Sequence, residues 1–446
     1  MGVFLTIALR NLIQAKRRTL FLASALGMVT MLLILLLSLS QGITDNMTRS
    51  ATTLSAGHVN VAGFFKTAPG DASPIVTERD RLKKIVKENT PGLDFVVDRH
   101  RGWGKVVSET GSIQTGLSGI ILDEEPNFLD VLQLAEQQEY KEGGEERVLG
   151  DATQLREPKT AMLFASQAKR LDVEVGDVVT ISTETLRGAR NTTDVRVVAI
   201  AKDLGFLSNW TVFVHRQTVL ELYQLKDDTT GAIMVYLKDI DQAEQTMAHL
   251  RGVLEKEGFV LMDHQPQPFF AKFETVSGED WTGQKLDLTT WSDEVSFLDW
   301  VITGLNTLSF FLIGILVVII AVGIMNTMYI SVRERTQEIG TLRAVGMSRI
   351  KVLWMIMLEA LLLGFGASLL GAAVGAGIAL GVDAAQFPVP VDAMKLVLLS
   401  DTIQMSVEAG QLAQAVLTFT LLTGLAALLP SIRAARMQPV TAIQSV

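Results

Sequence analysis

The chain has 446 residues, 48% of them hydrophobic, with a mean hydropathy of +0.31 and a net charge of −9. Apolar residues and charges are therefore segregated along it, which argues against a single soluble body. The acidic balance excludes a basic footprint for nucleic acid, and with no cysteine any outer domain is held by its core without disulfides.

Residues 1–19 carry Arg10, Lys16, Arg17 and Arg18 and read as a cytoplasmic amphipathic helix. The first apolar run, 20–40, has the length of a bilayer span, which takes about 20 residues in a helix. It is longer than a signal-peptide core and no small-x-small cleavage site follows, so it reads as an uncleaved anchor. The match of Met1-Gly2 to a myristoylation pattern is weak and is set aside.

Residues 41–299 form the extracytoplasmic domain. "GHVNVAGF" (57–64) reads as a strand, and "TERDRLKKIVKEN" (77–89) as a helix with Leu82, Ile85 and Val86 on one face. "LDFVVDRHRGWGKVVS" (93–108) reads as strand with a turn at Gly102–Gly104. The β-α-β order returns in "GAIMVYLKD" (231–239), a helix over 240–257 and a strand "FVLMD" (259–263). The segments between them, with short strands, Gly and Asp turns and one helix near Ser166–Leu171, suggest a mostly-β insert. Residues 264–296 lack periodicity and are expected to be a surface excursion.

Three further spans follow. Residues 300–332 give the second; its uncharged stretch Val301–Val332 would be about 48 Å long as a helix at ~1.5 Å per residue, more than a hydrocarbon core of about 30 Å, so a stalk extension is expected. Residues 352–382 give the third, with Glu359 expected to snorkel to the interface. There Gly371xxxGly375 and Gly377xxxGly381 permit close helix approach, against this chain's own fourth span or a second subunit. Residues 412–430 give the fourth, expected to end at Pro430. The loop 383–411 is acidic (Asp383, Asp392, Asp401, Glu408 against Lys395), while 333–351 and the tail 431–446 are basic. The positive-inside rule then puts both termini and residues 333–351 in the cytoplasm. Within 333–351, Ile339, Leu342 and Val345 fall on one helical face, Arg335 and Glu338 can pair, Gly346 stops the helix and Ser348 caps the third span.

No catalytic signature appears. "GEDWTGQK" (278–285) has Gln284 where a phosphate-binding loop needs lysine, the histidines lack zinc spacing and there is no GxSxG. Asp263-His264 reads as a surface turn. The fold class expected is membrane α-helical, with four transmembrane helices and a large α+β extracytoplasmic domain made of a β-α-β repeat unit and a mostly-β insert.

"MNTMYISVRERTQEIGTLRAVGMSRIKVLWMIMLEALLLGFGASLLG" (325–371) resembles the core of the FtsX-like permeases of ABC transporters. "IALRNLIQAKRRTLFLASALG" and "LPSIRAARMQPVTAIQ" resemble that family's two ends, in the right order. The resemblance implies a non-catalytic, mechanotransmission-type permease of the bacterial inner membrane that forms a homo- or heterodimer. It implies two copies of a separate ABC ATPase, which bind the ATP and Mg, with no cofactor in this chain. The coupling segment would be Arg333, Glu334, Arg335, Glu338, Ile339, Leu342, Arg343, Ala344 and Gly346, with Ile339, Leu342, Arg343 and Ala344 the expected contacts. "SAGHVNV" (55–61), and the lack of a fused ATPase domain in this sequence, favour the lipoprotein-releasing branch over the macrolide-exporter branch. The expected function is lipoprotein extraction from the membrane, with a periplasmic lipoprotein carrier or adaptor and membrane lipid as further partners. Efflux of amphiphiles or peptides, and a scaffold activating cell-wall hydrolases, are the alternatives.

Overall fold

The computed structural model describes residues 2–14, 16–68, 70–204, 208, 210–296, 299–389, 400 and 402–438. Expectations resting on Asp392, Lys395, Asp401 and residues 439–446 lie outside these. The chain divides into a helical unit (1–45, 302–389, 401–446) and an α/β unit (46–301, 390–400).

In the α/β unit the described strands are β1 (Val59–Lys66), β2 (Val76–Thr77), β3 (Leu93–Val107), β4 (Ser112–Ile120), β5 (Thr160–Phe164), β6 (Val178–Glu184), β7 (Arg190–Ala201), β8 (Thr211–His215), β9 (Thr229–Thr230), β10 (Ala232–Leu237) and β11 (Gly283–Thr290). Its helices are α3 (Arg79–Asn89), the short turns α4 (Phe128–Val131) and α5 (Gln137–Tyr140), α6 (Ala165–Leu171), α7 (Arg216–Tyr223), α8 (Ala243–Lys256), α9 (Phe273–Gly278) and α10 (Trp291–Glu294).

One sheet runs β11-β1-β10-β3-β4-β8-β5-β7-β6, and the far end of β3 also pairs with β6. The order β11-β1-β10-β3, with α3 and α8 in the crossovers, is the split β-α-β arrangement. Leu82, Ile85 and Val86 of α3 and Leu250 and Leu254 of α8 close its core against Val59, Val61, Ile233 and Val235. The remaining strands, from β3 round to β6 and back to β3, form a closed ring around Val106, Leu163, Ile181, Val197, Val212 and Val214. β3 serves both modules: Leu93–Arg99 pairs with β10, and His100–Val107 with β4.

Three expectations are corrected here. β3 runs unbroken through Gly102 and Gly104, with no turn. The glycine instead makes room for an aromatic ring, since a Cβ on Gly102 would lie 2.7 Å from Tyr223, whose hydroxyl donates to the Trp103 carbonyl and accepts from the Trp103 N–H. The final strand of the second β-α-β unit is β11, not 259–263, which contributes only a bridge at Leu261. Residues 264–296 are consequently no surface excursion. β11 pairs with β1 along its whole length, and Leu286 and Leu288 are fully buried. Its polar appearance arises because buried Lys272 and Asp287 neutralise each other at 2.8 Å.

The helical unit contains α1 (Gly2–Gln14), most of α2 (Lys16–Leu54), α11 (Asp299–Glu334), α12 (Thr336–Ala344), α13 (Arg349–Ala385) and α14 (Ala409–Ala435). α2, α11, α13 and α14 are long and apolar enough to cross a membrane. α2 outruns its apolar stretch because Ile43, Met47, Ala51 and Leu54 recur at three- and four-residue spacing and are buried. α14 does not stop at Pro430. The proline is buried inside it, and the helix continues to Ala435.

Candidate functional site

The basic segment after α11 folds as a break at Arg335, the nine-residue α12, and a turn into α13. Its end is a Schellman motif: Gly346 takes φ +103°, its N–H bonds to the Arg343 carbonyl, and the Met347 N–H reaches the Leu342 carbonyl. Ser348 occupies the N-cap position of α13 without a side-chain cap bond.

Arg335 fixes the break. Its Nη1 donates to both oxygens of Glu359 at 3.2 and 3.0 Å, and its Nε lies 3.5 Å from Glu338. Glu359 is 6% exposed; it does not snorkel, because a cation from the neighbouring element comes to it. A cavity of about 100 Å³ adjoins this pair, walled by Ile7 and Asn11 of α1, by Ile339 and Leu342 of α12, and by Met355 of α13. α12 is thus clamped by an ion pair with limited access to water and by an apolar face.

That clamp divides the expected coupling residues. Ile339 is buried and Leu342 half-buried in the chain's own helical core. Arg343 is half-buried, its Nη1 donating to the Met347 carbonyl. Arg333, Glu334, Glu338, Ala344 and Gly346 are exposed. Val345 does not share the Ile339 face; it is 84% exposed, because the Schellman turn carries it outward. Toward its end, α12 and the turn after it therefore expose Thr341, Ala344 and Val345.

The four glycines separate in the same way. A Cβ on Gly371 would lie 2.2 Å from the Gly27 carbonyl oxygen, and one on Gly375 3.0 Å from that of Met31. This pair packs on α2, the chain's own first span, and not on the fourth. The fourth span meets α13 elsewhere, at Gly364 against Thr423. Gly377 and Gly381 have nothing within 4 Å of a would-be Cβ.

The α/β unit holds buried charges that apolar periodicity did not single out. Arg99, fully buried, makes a bidentate pair with Glu125 at 2.6 and 2.7 Å and donates to the Leu54 and Thr53 carbonyls at the end of α2. Burial opposes its charge, yet Glu125 holds its guanidinium above the ordinary range. Asp98 is buried too, which by itself would raise its pKa. Hydrogen bonds from Arg79 and Lys83 overcome this and bring it to about 2. His100 is pushed down to about 3 by burial and then by the charge of Arg216. The signal available in the sequence was the string "DRHR" inside a strand, where alternation puts Arg99 and Arg101 on one face.

Among the described residues no group of His, Asp and Glu is arranged to hold a metal ion. "GEDWTGQK" leads into strand β11 rather than a helix N-terminus, so it cannot cradle a phosphate as such loops do. His264 is not an isolated turn residue, since its Nε2 lies 3.0 Å from Asp293.

Four membrane-length helices, with a large α/β unit inserted between the first two in sequence, are the architecture of a polytopic membrane protein. Residues 19–253 match the MacB-like periplasmic core domain, and residues 310–439 match the FtsX-like permease C-terminal domain. The chain belongs to this MacB- and FtsX-like family of ABC transporter permeases. It is 33% identical over 122 residues to a macrolide export ATP-binding/permease protein, MacB, of Hahella chejuensis, covering 27% of this chain and 16% of that one. It is 34% identical over 123 residues to an uncharacterized ABC transporter permease, YvrN, of Bacillus subtilis, covering 27% and 26%. The matched parts thus span about a quarter or less of these relatives' own lengths. Among solved structures, the periplasmic region of MacB from Actinobacillus actinomycetemcomitans aligns at 15% identity with a TM-score of 0.29, covering 55% of this chain and 94% of that one.

Proposed function

We propose that this chain is the membrane subunit of an ATP-driven transporter, that α12 is its cytoplasmic docking element, and that a separate ABC ATPase binds there in two copies, one per permease of a dimer. The observation that carries the reading is the construction of α12. It is a short helix held by a half-buried ion pair, by α1 and by α13, with a different, exposed face turned outward. A push on such an element passes into α11 and α13 and is not absorbed by a loop. ATP and Mg would be held by the ATPase, with this chain supplying no catalytic group. The basic residues of 333–351 support the cytoplasmic orientation. Phe310, Phe311 and Val318 of α11, each more than 60% exposed, would be covered by lipid or the second permease.

For the cargo, the MacB-like core match and the named macrolide exporters among the relatives favour expulsion of amphiphiles. Lipoprotein release rested on "SAGHVNV" and on the lack of a fused ATPase domain in this sequence, and local packing accounts for the first of these. Asn60 is fully buried and its Oδ1 accepts from the Gly57 N–H at 2.8 Å, while Val59 and Val61 are core.

The test is co-purification of an ATPase with Ala344→Glu/Val345→Glu, which changes only exposed positions, beside Leu342→Asp/Arg343→Glu. We expect the first pair to lose the ATPase while the permease stays folded and inserted; ATPase recovered at the wild-type level would refute the docking role. Mass spectrometry of wild-type complexes separates the cargo readings: adaptor and duct proteins for efflux, lipoproteins or a carrier for release, a cell-wall hydrolase for signalling.

A further inference from the structure

Arg99 and Arg101 face the same way from β3, yet only the first is satisfied. Arg101 is 8% exposed. Its Nη2 makes a long contact of 3.5 Å to the Ser55 carbonyl, and its Nη1 has no hydrogen-bond partner. The carboxylate across from it, Glu294, stays at 4.0 Å. Both Glu294 oxygens are already engaged, one by the Thr289 hydroxyl at 2.8 Å and the other by the Phe269 N–H at 3.3 Å. Arg101 is therefore a buried cation with an unused donor. Buried polar groups in folded proteins nearly always find partners, so this one asks for an explanation.

Arg101 lines a partly open pocket of about 100 Å³, together with Trp103, Trp210, Phe269, Phe270 and Glu294. The Arg101 guanidinium lies 4.3 Å from the Phe269 ring centre. Trp210 and Phe270 are 44% and 39% exposed and stack nearly parallel, with ring centres 6.1 Å apart. Few large aromatics of this unit are so exposed. A wall of rings with one convergent charged donor is the makeup of a small-molecule site. An apolar cavity of about 150 Å³ accepts benzene, so this one, open on one side, suits a single ring or a chain of roughly four to six carbons.

We propose that this pocket binds small anionic amphiphiles, the carboxylate accepting from Arg101 Nη1 and the apolar body lying against Trp210 and Phe270. Charge favours an anion over a neutral acceptor. Burial holds the Arg101 pKa below its ordinary range, and nearby Arg99 adds to that against the opposing pull of Glu294. An incoming carboxylate compensates the guanidinium as Glu125 does for Arg99. The site is independent of any ATPase docking at α12.

The test uses the full chain in lipid nanodiscs, titrated calorimetrically with 3-phenylpropionate and with its neutral amide, 3-phenylpropionamide, and empty nanodiscs as the blank. Saturable binding of the acid is expected, at least tenfold tighter than the amide. Arg101→Gln should weaken it tenfold or more and Phe270→Ala several-fold. Phe270 sits at the exposed mouth, so its variant keeps the test alive should Arg101→Gln fail to fold. Heat no greater than the blank, equal binding of acid and amide, or wild-type affinity in Phe270→Ala would overturn the assignment and leave a pocket holding only water.

Discussion

Replacing Arg99 by Met removes one partner of a buried ion pair and the donors to two helix-end carbonyls in a single step. Breaking such a pair from one side costs about 3–5 kcal/mol, because the remaining charge, here Glu125, stays buried and uncompensated. The Thr53 and Leu54 carbonyls lose their side-chain donors, at about 1–3 kcal/mol each if no water replaces them. The terms overlap, so about 5 kcal/mol is expected in total. With a urea slope of about 2–3 kcal/mol/M, the unfolding midpoint of the α/β unit should fall by about 2 M. The absence of cysteine makes the assay clean. Ala161, fully buried in β5, is changed to Cys, and its labelling by a thiol reagent is followed against urea in the detergent-solubilised full chain. The double variant Arg99→Met/Glu125→Leu removes both charges and leaves only the orphaned carbonyls, so it should recover most of the loss and sit about 2 kcal/mol below wild type. A single variant within about 1 kcal/mol of wild type, or a double variant no better than the single, would show that the pair does not anchor this end of α2.

Two further predictions follow from the packing and the titration. Gly371→Leu places side-chain atoms where the Gly27 carbonyl stands and should abolish the folded, inserted protein on size-exclusion chromatography. Gly377→Leu, with open space around it, should leave the monomer fold intact; loss of the proposed dimer alone would assign that face to a second subunit. His100 is neutral in the fold, with a pKa of about 3 against an ordinary 6.5. Its contribution to stability is therefore complete above pH 6.5 and declines as pH falls toward 3, by about 2 kcal/mol between pH 7 and 5. His100→Gln should flatten that part of the urea-midpoint profile. The Asp98 contribution has the same sign but is lost only below about pH 4, as its carboxylate titrates toward its folded pKa of about 2. A wild-type profile that is level from pH 7 to 5 would refute the His100 argument.

The elements that sequence periodicity made legible were those whose burial is one-sided and local. α3 buries Leu82, Ile85 and Val86 on one stripe and was readable residue by residue. The membrane helices announce themselves by length alone. β11 was missed because its burial is paid for by partners remote in sequence or reversed in character. "QKLDLTT" alternates, and Asp287, on the face opposite Leu286 and Leu288, looks like a solvent residue until Lys272 is placed beside it and that face proves buried too. The same blindness hid Arg99, whose partners Glu125, Thr53 and Leu54 are 26 to 46 residues away.

Glu359 shows why the candidate site was only half visible. A lone carboxylate in an apolar run has two inexpensive fates, reaching water at the interface or finding a cation, and hydropathy along one helix cannot separate them. What decides is whether another element brings the cation. Arg335 sits at the break between α11 and α12, where the backbone turns, and that turn aims its guanidinium back at α13. The charge that reads as a snorkelling residue in one dimension is in three dimensions the latch on the basic segment. With Ile339 buried and Leu342 half-buried beside it, the exposed side of α12 and the turn after it is left to residues such as Thr341, Ala344 and Val345. The ion pair thus links two features that looked unrelated along the chain: a buried acid in the third span, and the outward face of the loop before it.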